Sequence, residues 1–190
     1  TVVIQPDMDP VLDQVSLVDY IERQARDAVV RVRPMAAATK GMNGVEMAEI
    51  GLLKAAGAVA FTDSRHAIQK AQVMRRILTY ATAHDALIVQ HAEDGDLADG
   101  GVMNEGEVST RLGLPGIPAE AEVMMIERDL HLVAMTGGRY HAAMVTTAKG
   151  IDAIRRAKAD GLNVSCGTAP PYFALNELAV GDYRTFARLS

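Results

Sequence analysis

The chain has 190 residues, 49% of them hydrophobic and 23% charged, a composition typical of a globular protein with one sizeable domain. Its formal net charge of −5 disfavours non-specific attraction to nucleic acid or an anionic membrane, and no apolar run approaches the ~18 residues of a membrane span. Cys166 is the only cysteine, which excludes an intrachain disulfide and a multi-thiolate zinc site and indicates a reducing, cytoplasmic setting.

Short apolar runs alternate with longer stretches of helical period along the chain. We predict strands at residues 1–5, 30–35, 58–63, 87–91, 140–146 and 163–167. Helices are predicted at residues 16–27, 44–56, 119–136 and 151–159, and along the apolar stripe from Val73 to Ala81. Ser16 is the predicted N-cap of the first helix. A glycine-rich excursion over residues 95–116 interrupts the alternation.

The predicted strands are continuously apolar, which is typical of a parallel sheet covered by helices on both faces. A doubly wound sheet would need a glycine-rich phosphate turn after an early strand, and the first strand leads instead into Gln-Pro-Asp-Met-Asp-Pro. We therefore predict an α/β fold: an incomplete (β/α)8 barrel of the TIM type with about six βα units. Residues 1–190 are expected to be the central part of this single barrel domain, with no second domain.

In such a barrel the chemistry lies at the carboxyl ends of the strands and on the loops that follow them. Asp63 and His91 each end an apolar strand, and zinc accepts both carboxylate and imidazole ligands. The alternative is structural, with Asp63 capping the following turn and His91 satisfied at a strand end. The other histidines are expected to be solvated (His66, His84, His131) or held in the core by a backbone partner (His141).

Polar residues near these strand ends offer further candidates. Glu93 and Asp94 either orient a metal ligand or are solvated loop carboxylates. Asn104 and Arg111, on the excursion, either face an anionic substrate or face water. No Ser-His-Asp arrangement, phosphate-binding loop or zinc-cysteine motif is recognisable.

The middle of the chain carries a distinctive block of three motifs. They are His91-Ala92-Glu93-Asp94, Gly101-Val102-Met103-Asn104-Glu105-Gly106, and Arg-Leu-Gly-Leu-Pro-Gly-Ile-Pro-Ala-Glu-Ala-Glu at residues 111–122. Gly-Ala-Val-Ala-Phe-Thr-Asp at residues 57–63, Gly-Asp-Tyr-Arg-Thr-Phe at residues 181–186, and Leu189-Ser190 accompany this block. Together these stretches resemble the dihydroorotases of the long bacterial type, within the amidohydrolase superfamily.

The resemblance implies a barrel with one or two zinc ions, in which metal-bound hydroxide attacks the ring amide of dihydroorotate and reversibly gives N-carbamoyl-aspartate. The family's ligands are a His-x-His pair on the first strand, an Asp on the fourth, histidines on the fifth and sixth, and a proton-shuttling Asp on the eighth. Asp63 matches the fourth-strand ligand and His91 the fifth-strand ligand. The His-x-His pair would precede Thr1 and the last Asp would follow Ser190. We therefore expect no catalytic residue within the chain and no activity from the chain alone.

Three positions depart from the family pattern. The sixth-strand ligand position falls on Met144, whose thioether is a poor zinc ligand. The position of a substrate-contacting Asn falls on Asp7, our candidate substrate-binding residue, and a Pro-His-His motif has become Pro170-Pro171-Tyr172.

These observations leave three functions open. The first is a dihydroorotase or close relative, the second a non-catalytic homologue that scaffolds aspartate carbamoyltransferase, and the third a cyclic amidase of the hydantoinase or allantoinase type. The expected partners are a small-molecule substrate and further copies in a homo-oligomer, with that carbamoyltransferase as an additional partner under the second function. Neither nucleic acid nor a membrane is expected as a partner. Six strands leave two sheet edges unpaired, so the isolated chain is expected to associate.

Overall fold

The computed structural model describes residues 1–187, and the likeness noted at Leu189-Ser190 lies outside them. The strands are β1 (Val2–Ile4), β2 (Val32–Ala36), β3 (Ala60–Phe61), β4 (Leu87–His91), β5 (Met103–Asn104), β6 (Gly116–Ile117), β7 (Arg139–Ala143) and β8 (Val164–Cys166). The helices are α1 (Val15–Gln24), α2 (Ile50–Ala55), α3 (Ala71–Ala83), α4 (Gly95–Ala98), α5 (Glu107–Leu112), α6 (Glu120–Thr136), α7 (Ala148–Ala159) and α8 (Pro170–Ala174).

Within residues 1–187, six strands form one parallel sheet in the order β1-β2-β3-β4-β7-β8. The longest ladder joins β4 to β7 and sets His91 opposite Ala143. The remaining two strands, β5 and β6, form a separate parallel pair inside the excursion. The sheet confirms the predicted α/β fold, and β1 and β8 each have one neighbour in it.

The side chains that face the helices form the main hydrophobic core. The apolar stripe of α3 is buried as predicted, and Ile77 and Leu78 pack in one cluster with Phe61 of β3 and Ile88 of β4. Burying a side chain of this size stabilises the fold by about 1.5–3 kcal/mol. This packing holds the helices against one side of the sheet.

The opposite side of the sheet carries a much smaller apolar cluster. Met35, Ala60 and Val89 are buried there, with Leu87 and Ala143 partly buried against them. Because side chains alternate along a strand, His91 lies on the same side as Val89 and Leu87. The histidine that ends β4 therefore points away from the helix-facing core.

The segment between β2 and α2 departs from the prediction of a helix over residues 44–56. The α-helix occupies only Ile50–Ala55, and an isolated antiparallel bridge joins Thr39 to Met47. Gly41 and Gly44 have φ values of 60° and 68°, which suit glycine and interrupt a helix. The chain after β2 is therefore a folded-back loop at the carboxyl edge of the sheet.

The predicted cap at Ser16 is wrong. The first helix begins at Val15, and its N-cap is Gln14, whose side chain makes no capping hydrogen bond. The residue with extended backbone at the boundary is Gln14, so Ser16 lies inside the first turn, where its hydroxyl cannot serve as the cap.

None of the helices within residues 1–187 is long and apolar enough to cross a membrane.

Candidate functional site

A cavity of about 770 Å³ opens at the carboxyl edge of the sheet. The ends of β4 and β7 and the segment after β7 form one wall, and the excursion between β4 and α6 forms the other. Its polar and sulfur-bearing lining residues are Arg65, His91, Glu93, Asp99, Met103, Asn104, Glu105, Glu122, Met144, Thr146, Thr147, Tyr172 and Glu177. The cavity therefore lies where a parallel barrel is expected to carry its chemistry.

His91 is the last residue of β4, is half-buried and lines this cavity. Glu93 also lines the cavity, two residues farther along. Asp94 has another role: its Oδ1 accepts hydrogen bonds from the backbone N–H groups of Asp96 and Leu97 and caps α4. Of the two carboxylates after β4, only Glu93 faces the candidate site.

Asp63 follows β3, the strand next to β4, and its side chain is almost completely buried, with 3% exposed. Its Oδ1 accepts hydrogen bonds from Ala38 N at 3.1 Å and Thr39 N at 2.9 Å, and its Oδ2 accepts one from the Thr39 hydroxyl. Burial raises the pKa of the Asp63 carboxyl, and these hydrogen bonds oppose that shift. Asp63 thus joins the ends of β2 and β3, and it is not among the residues that line the cavity.

Met144 directly follows β7 and lines the cavity on the side of His91. Its φ of 57° lies in the left-handed region, which is uncommon for a residue with a side chain. Such backbone conformations persist only where the surrounding structure holds them in place, and they are found most often at functional sites. The position that the family resemblance assigns to a histidine ligand is therefore a constrained turn with a thioether.

The other residues singled out from the sequence divide between cavity and surface. Asn104 lines the cavity, whereas Arg111 is exposed on α5 and does not line it. Asp7 is also exposed outside the lining, and its Oδ2 accepts a hydrogen bond of 2.9 Å from the Ser64 hydroxyl. Tyr172, from the altered Pro-Pro-Tyr motif, is part of the cavity wall.

Three of the four other histidines had been expected to be solvated, and two of them are. His66 and His131 are exposed. His84 is partly buried instead, with its ring edge-on to Tyr80 at a centroid distance of 4.8 Å. His141 was expected in the core with a backbone partner, but it is only half-buried, and its Nδ1 contacts the Ser165 hydroxyl at 2.8 Å. Burial lowers the pKa of His141.

A buried polar network on the helix-facing side of the sheet was not predicted from the sequence. Asp129 of α6 is fully buried, and its Oδ2 accepts hydrogen bonds from Gln90 Nε2 at 2.9 Å and Tyr140 Oη at 2.8 Å. Its Oδ1 pairs with Arg128, whose guanidinium also donates to the backbone oxygens of residues 68 and 69. Burial raises the pKa of Asp129, and Arg128 opposes the shift. The network fixes β4, β7 and the loop after β3 against one helix.

Glu122, also from α6, was missed as well. Its two carboxylate oxygens accept hydrogen bonds from Thr146 and Thr147 in the segment after β7. Inside a helical stretch this glutamate resembles any surface carboxylate, and its partners lie 24 and 25 residues away. No local signal in the sequence could have identified the contact.

The described residues do not complete a zinc site. Asp63 and His91 are donors of the right kind, but structural zinc takes four protein ligands and catalytic zinc three. No group of three His, Cys, Asp or Glu side chains in residues 1–187 is arranged to hold a metal ion. Met144 stands where a further imidazole was expected.

The sequence model of the "Dihydro-orotase-like" family matches residues 1–150. The chain is 44% identical over 189 residues to the dihydroorotase of Desulfotalea psychrophila and 43% identical over 191 residues to that of Acetivibrio thermocellus. Each alignment covers 100% of this chain and 45% of the relative. The chain therefore spans less than half the length of these curated relatives.

Similar solved structures include the L-hydantoinase (dihydropyrimidinase) of Arthrobacter aurescens, with a TM-score of 0.73 and 20% identity over 91% of this chain and 40% of that one. The dihydropyrimidinase of Brevibacillus agri NCHU1002 superposes with a TM-score of 0.69 and 18% identity over 95% of this chain and 41% of that one. These likenesses confirm the predicted fold class, a partial (β/α)8 barrel.

Proposed function

Since the chain belongs to the dihydro-orotase-like family, we propose that the full-length protein is a cyclic amide hydrolase that interconverts dihydroorotate and N-carbamoyl-aspartate. In this reaction water oxygen joins the ring carbonyl carbon, the ring C–N bond breaks and the nitrogen takes a proton. The observation that carries the proposal is the cavity at the carboxyl edge of the sheet, with His91 in its wall.

The chain's own residues would bind and enclose the substrate. The cavity, about 770 Å³, is in the range of small-molecule sites. Asn104 on the excursion and Arg65 after β3 bring hydrogen-bond donors to the lining, and an anionic substrate needs such donors. We also propose Asp7 as a substrate-binding residue from its position after β1 at the same edge of the sheet, although it lies outside the cavity lining and has the same charge sign as the substrate.

Asp63 and His91 are our predicted zinc ligands for the full-length protein, in which one or two ions would need further donors. Support comes from their positions at the carboxyl ends of β3 and β4, which are adjacent strands of the sheet. A bound zinc would supply a water molecule acidified for attack on an amide.

The test is dihydroorotate turnover by purified full-length protein together with its zinc content. His91→Ala should abolish turnover and lower the zinc content, whereas His131→Ala, at an exposed histidine of α6, should leave both unchanged. Hydantoin and allantoin, assayed in parallel, would reveal a different cyclic amide as substrate. A parent protein without zinc and without turnover of any of these would contradict the enzymatic proposal.

A second candidate is a non-catalytic homologue that scaffolds aspartate carbamoyltransferase as a homo-oligomer in the cytoplasm. Met144 in the cavity wall favours it, because a thioether replaces the expected imidazole at that point. If this candidate is correct, the full-length protein co-purifies with the carbamoyltransferase of the same organism and neither holds zinc nor hydrolyses dihydroorotate. Separate elution of the two proteins would contradict it.

A further inference from the structure

We propose that Glu122 is a positioning residue for the ligand cavity, because it clamps the segment after β7 and thereby fixes Met144 in the cavity wall. This inference deepens the proposed function and rests on it only where ligand affinity is measured. We call the carboxylate of Glu122 with its donors on Thr146 and Thr147 the Glu122 clamp.

The Glu122 clamp consists of four hydrogen bonds. Oε2 accepts from the backbone N and the hydroxyl of Thr146, both at 2.8 Å. Oε1 accepts from the backbone N of Thr147 at 3.0 Å and from its hydroxyl at 2.6 Å. One carboxylate on α6 therefore binds two consecutive residues at both their backbone and side-chain donors, and bonds to a charged acceptor are stronger than neutral ones.

The clamp also secures the start of α7. The Thr147 hydroxyl accepts a hydrogen bond from Gly150 N at 3.0 Å and is the side-chain cap of that helix. The carboxylate of Glu122 lies at the same N-terminus, where negative charge is stabilised by the helix dipole. A Cβ atom at Gly150 would lie 2.7 Å from Glu122 Oε1, so only glycine leaves room for the carboxylate.

Met144 lies between the clamp and the sheet. Ala143, just before it, pairs with His91 of β4, and Val145, just after it, donates its backbone N–H to Gly167 O at 2.8 Å. At Met144 the chain thus leaves its contact with β4 through a left-handed turn with φ of 57°, while it stays hydrogen-bonded to the segment after β8. A non-glycine residue adopts that conformation only where its neighbours hold it.

Both anchors of this turn are therefore visible. The ladder between β4 and β7 holds its start. The hydrogen bond from Val145 N to Gly167 O and the Glu122 clamp together hold the residues that follow it. Glu122, Met144, Thr146 and Thr147 all line the cavity. Release of the clamp would let the turn relax, move the Met144 thioether and reshape the wall beside His91.

The experiment uses full-length protein labelled with ¹³C at the methionine methyl groups, with the Met144 signal assigned by its loss in Met144→Leu. Glu122→Gln replaces one acceptor oxygen by an NH₂ group, which then faces the donors of one threonine. Thr147→Val removes a hydroxyl from the clamp, and Thr147→Ser restores it. Glu120→Gln is the matched control, since Glu120 lies on the same helix, is exposed and pairs only on the surface with Lys149.

In Glu122→Gln and Thr147→Val, the Met144 methyl signal should shift or broaden, and dihydroorotate should bind at least about tenfold more weakly. Glu120→Gln should retain the parent signal and stay within about twofold of the parent affinity, and Thr147→Ser should lie closer to the parent than Thr147→Val in both measurements. An unchanged Met144 signal in both clamp variants would overturn the proposal. If the parent does not bind dihydroorotate, the proposed function fails while the methyl signals still decide the role of Glu122.

Discussion

The two sides of the β4–β7 ladder are built differently. On the helix-facing side, Gln90 and Tyr140 both donate hydrogen bonds to the buried carboxylate of Asp129. On the cavity side, His91 and Met144 stand at the wall of an open cavity. The same two strands therefore carry a closed polar network on one side and side chains accessible to a ligand on the other.

This difference suggests that the helix-facing side of the ladder stabilises the fold and that the cavity side binds ligand. A buried polar network is rigid only when every member is satisfied, and all buried side-chain polar atoms of the described residues have a partner. Because the helix-facing network holds β4 and β7 rigidly, the residues on the cavity side can keep a fixed geometry although solvent reaches them. We expect substitutions behind the sheet to affect unfolding first and substitutions at the cavity to affect binding first.

The largest effect is expected from Asp129→Ala. It leaves Arg128, Gln90 and Tyr140 without their common acceptor and should lower the free energy of unfolding by about 3 kcal/mol. Urea unfolding of the full-length protein measures the change. Asp152→Ala, which removes an exposed partner of Arg155, is the control and should cost less than about 0.5 kcal/mol. Equal losses in the two variants would contradict the assignment of stability to the helix-facing side.

A smaller effect is expected from Thr39→Val at the ends of β2 and β3. The Thr39 hydroxyl donates to Asp63 and accepts from Gly44 N, so its loss should cost about 1–2 kcal/mol. Thr79→Val, on the exposed side of α3, should stay within about 0.5 kcal/mol of the parent in the same unfolding assay. If both variants unfold like the parent, Thr39 does not stabilise the buried carboxylate.

On the cavity side, His141→Gln should change the pH dependence of stability. Burial lowers the pKa of His141, so the unfolded chain takes up a proton at a higher pH than the folded protein. This contribution is present above the unfolded pKa of about 6.5 and is lost as the pH falls below it. Because the ring is only half-buried, the effect should be below about 1 kcal/mol.

Unfolding free energies at pH 7.5 and pH 5.5 measure this difference. The decrease between the two pH values should be smaller in His141→Gln than in the parent, while His131→Gln, at an exposed histidine, should match the parent. An identical decrease in all three proteins would show that His141 titrates alike in both states.

The smallest effect is expected on the outer surface. Arg156→Ala breaks an ion pair with Glu127 whose side chains are 63% and 40% exposed, so solvent screens it. The free energy of unfolding should fall by less than about 0.5 kcal/mol, and added salt should reduce this loss further because salt weakens the exposed ion pair of the parent. A decrease in the free energy of unfolding of more than about 1 kcal/mol would show that this exposed ion pair contributes to stability as strongly as a buried contact.

Elements with strong periodicity were predicted well from the sequence. The strand at residues 87–91 matches β4 at both ends, and the helix at residues 119–136 differs from α6 by one residue. The apolar stripe of α3 is buried, because apolar residues at a 3.6-residue period all lie on one face of a helix and that face packs against the core. The predicted strand at residues 58–63 is shorter in the structure, since β3 pairs only over Ala60–Phe61.

The prediction was wrong where neighbours in space outweigh local propensity. Residues 44–49 form no helix, because the loop after β2 folds back to pair Thr39 with Met47 and to satisfy the Asp63 carboxylate. The excursion over residues 95–116 proved to hold a small parallel pair and two short helices.

By itself the sequence determined the α/β class, the order of the main elements and the placement of His91 and Asp63 after adjacent strands, because hydrophobic period and strand ends are local properties of the chain. Only the tertiary structure decided that Asp63 is buried against Thr39, that Met144 turns left-handed into the cavity wall, and that Glu122 holds the segment beside it. The first and third of these facts are hydrogen bonds between residues 24 or 25 positions apart, and such contacts arise only when the strands and helices are packed.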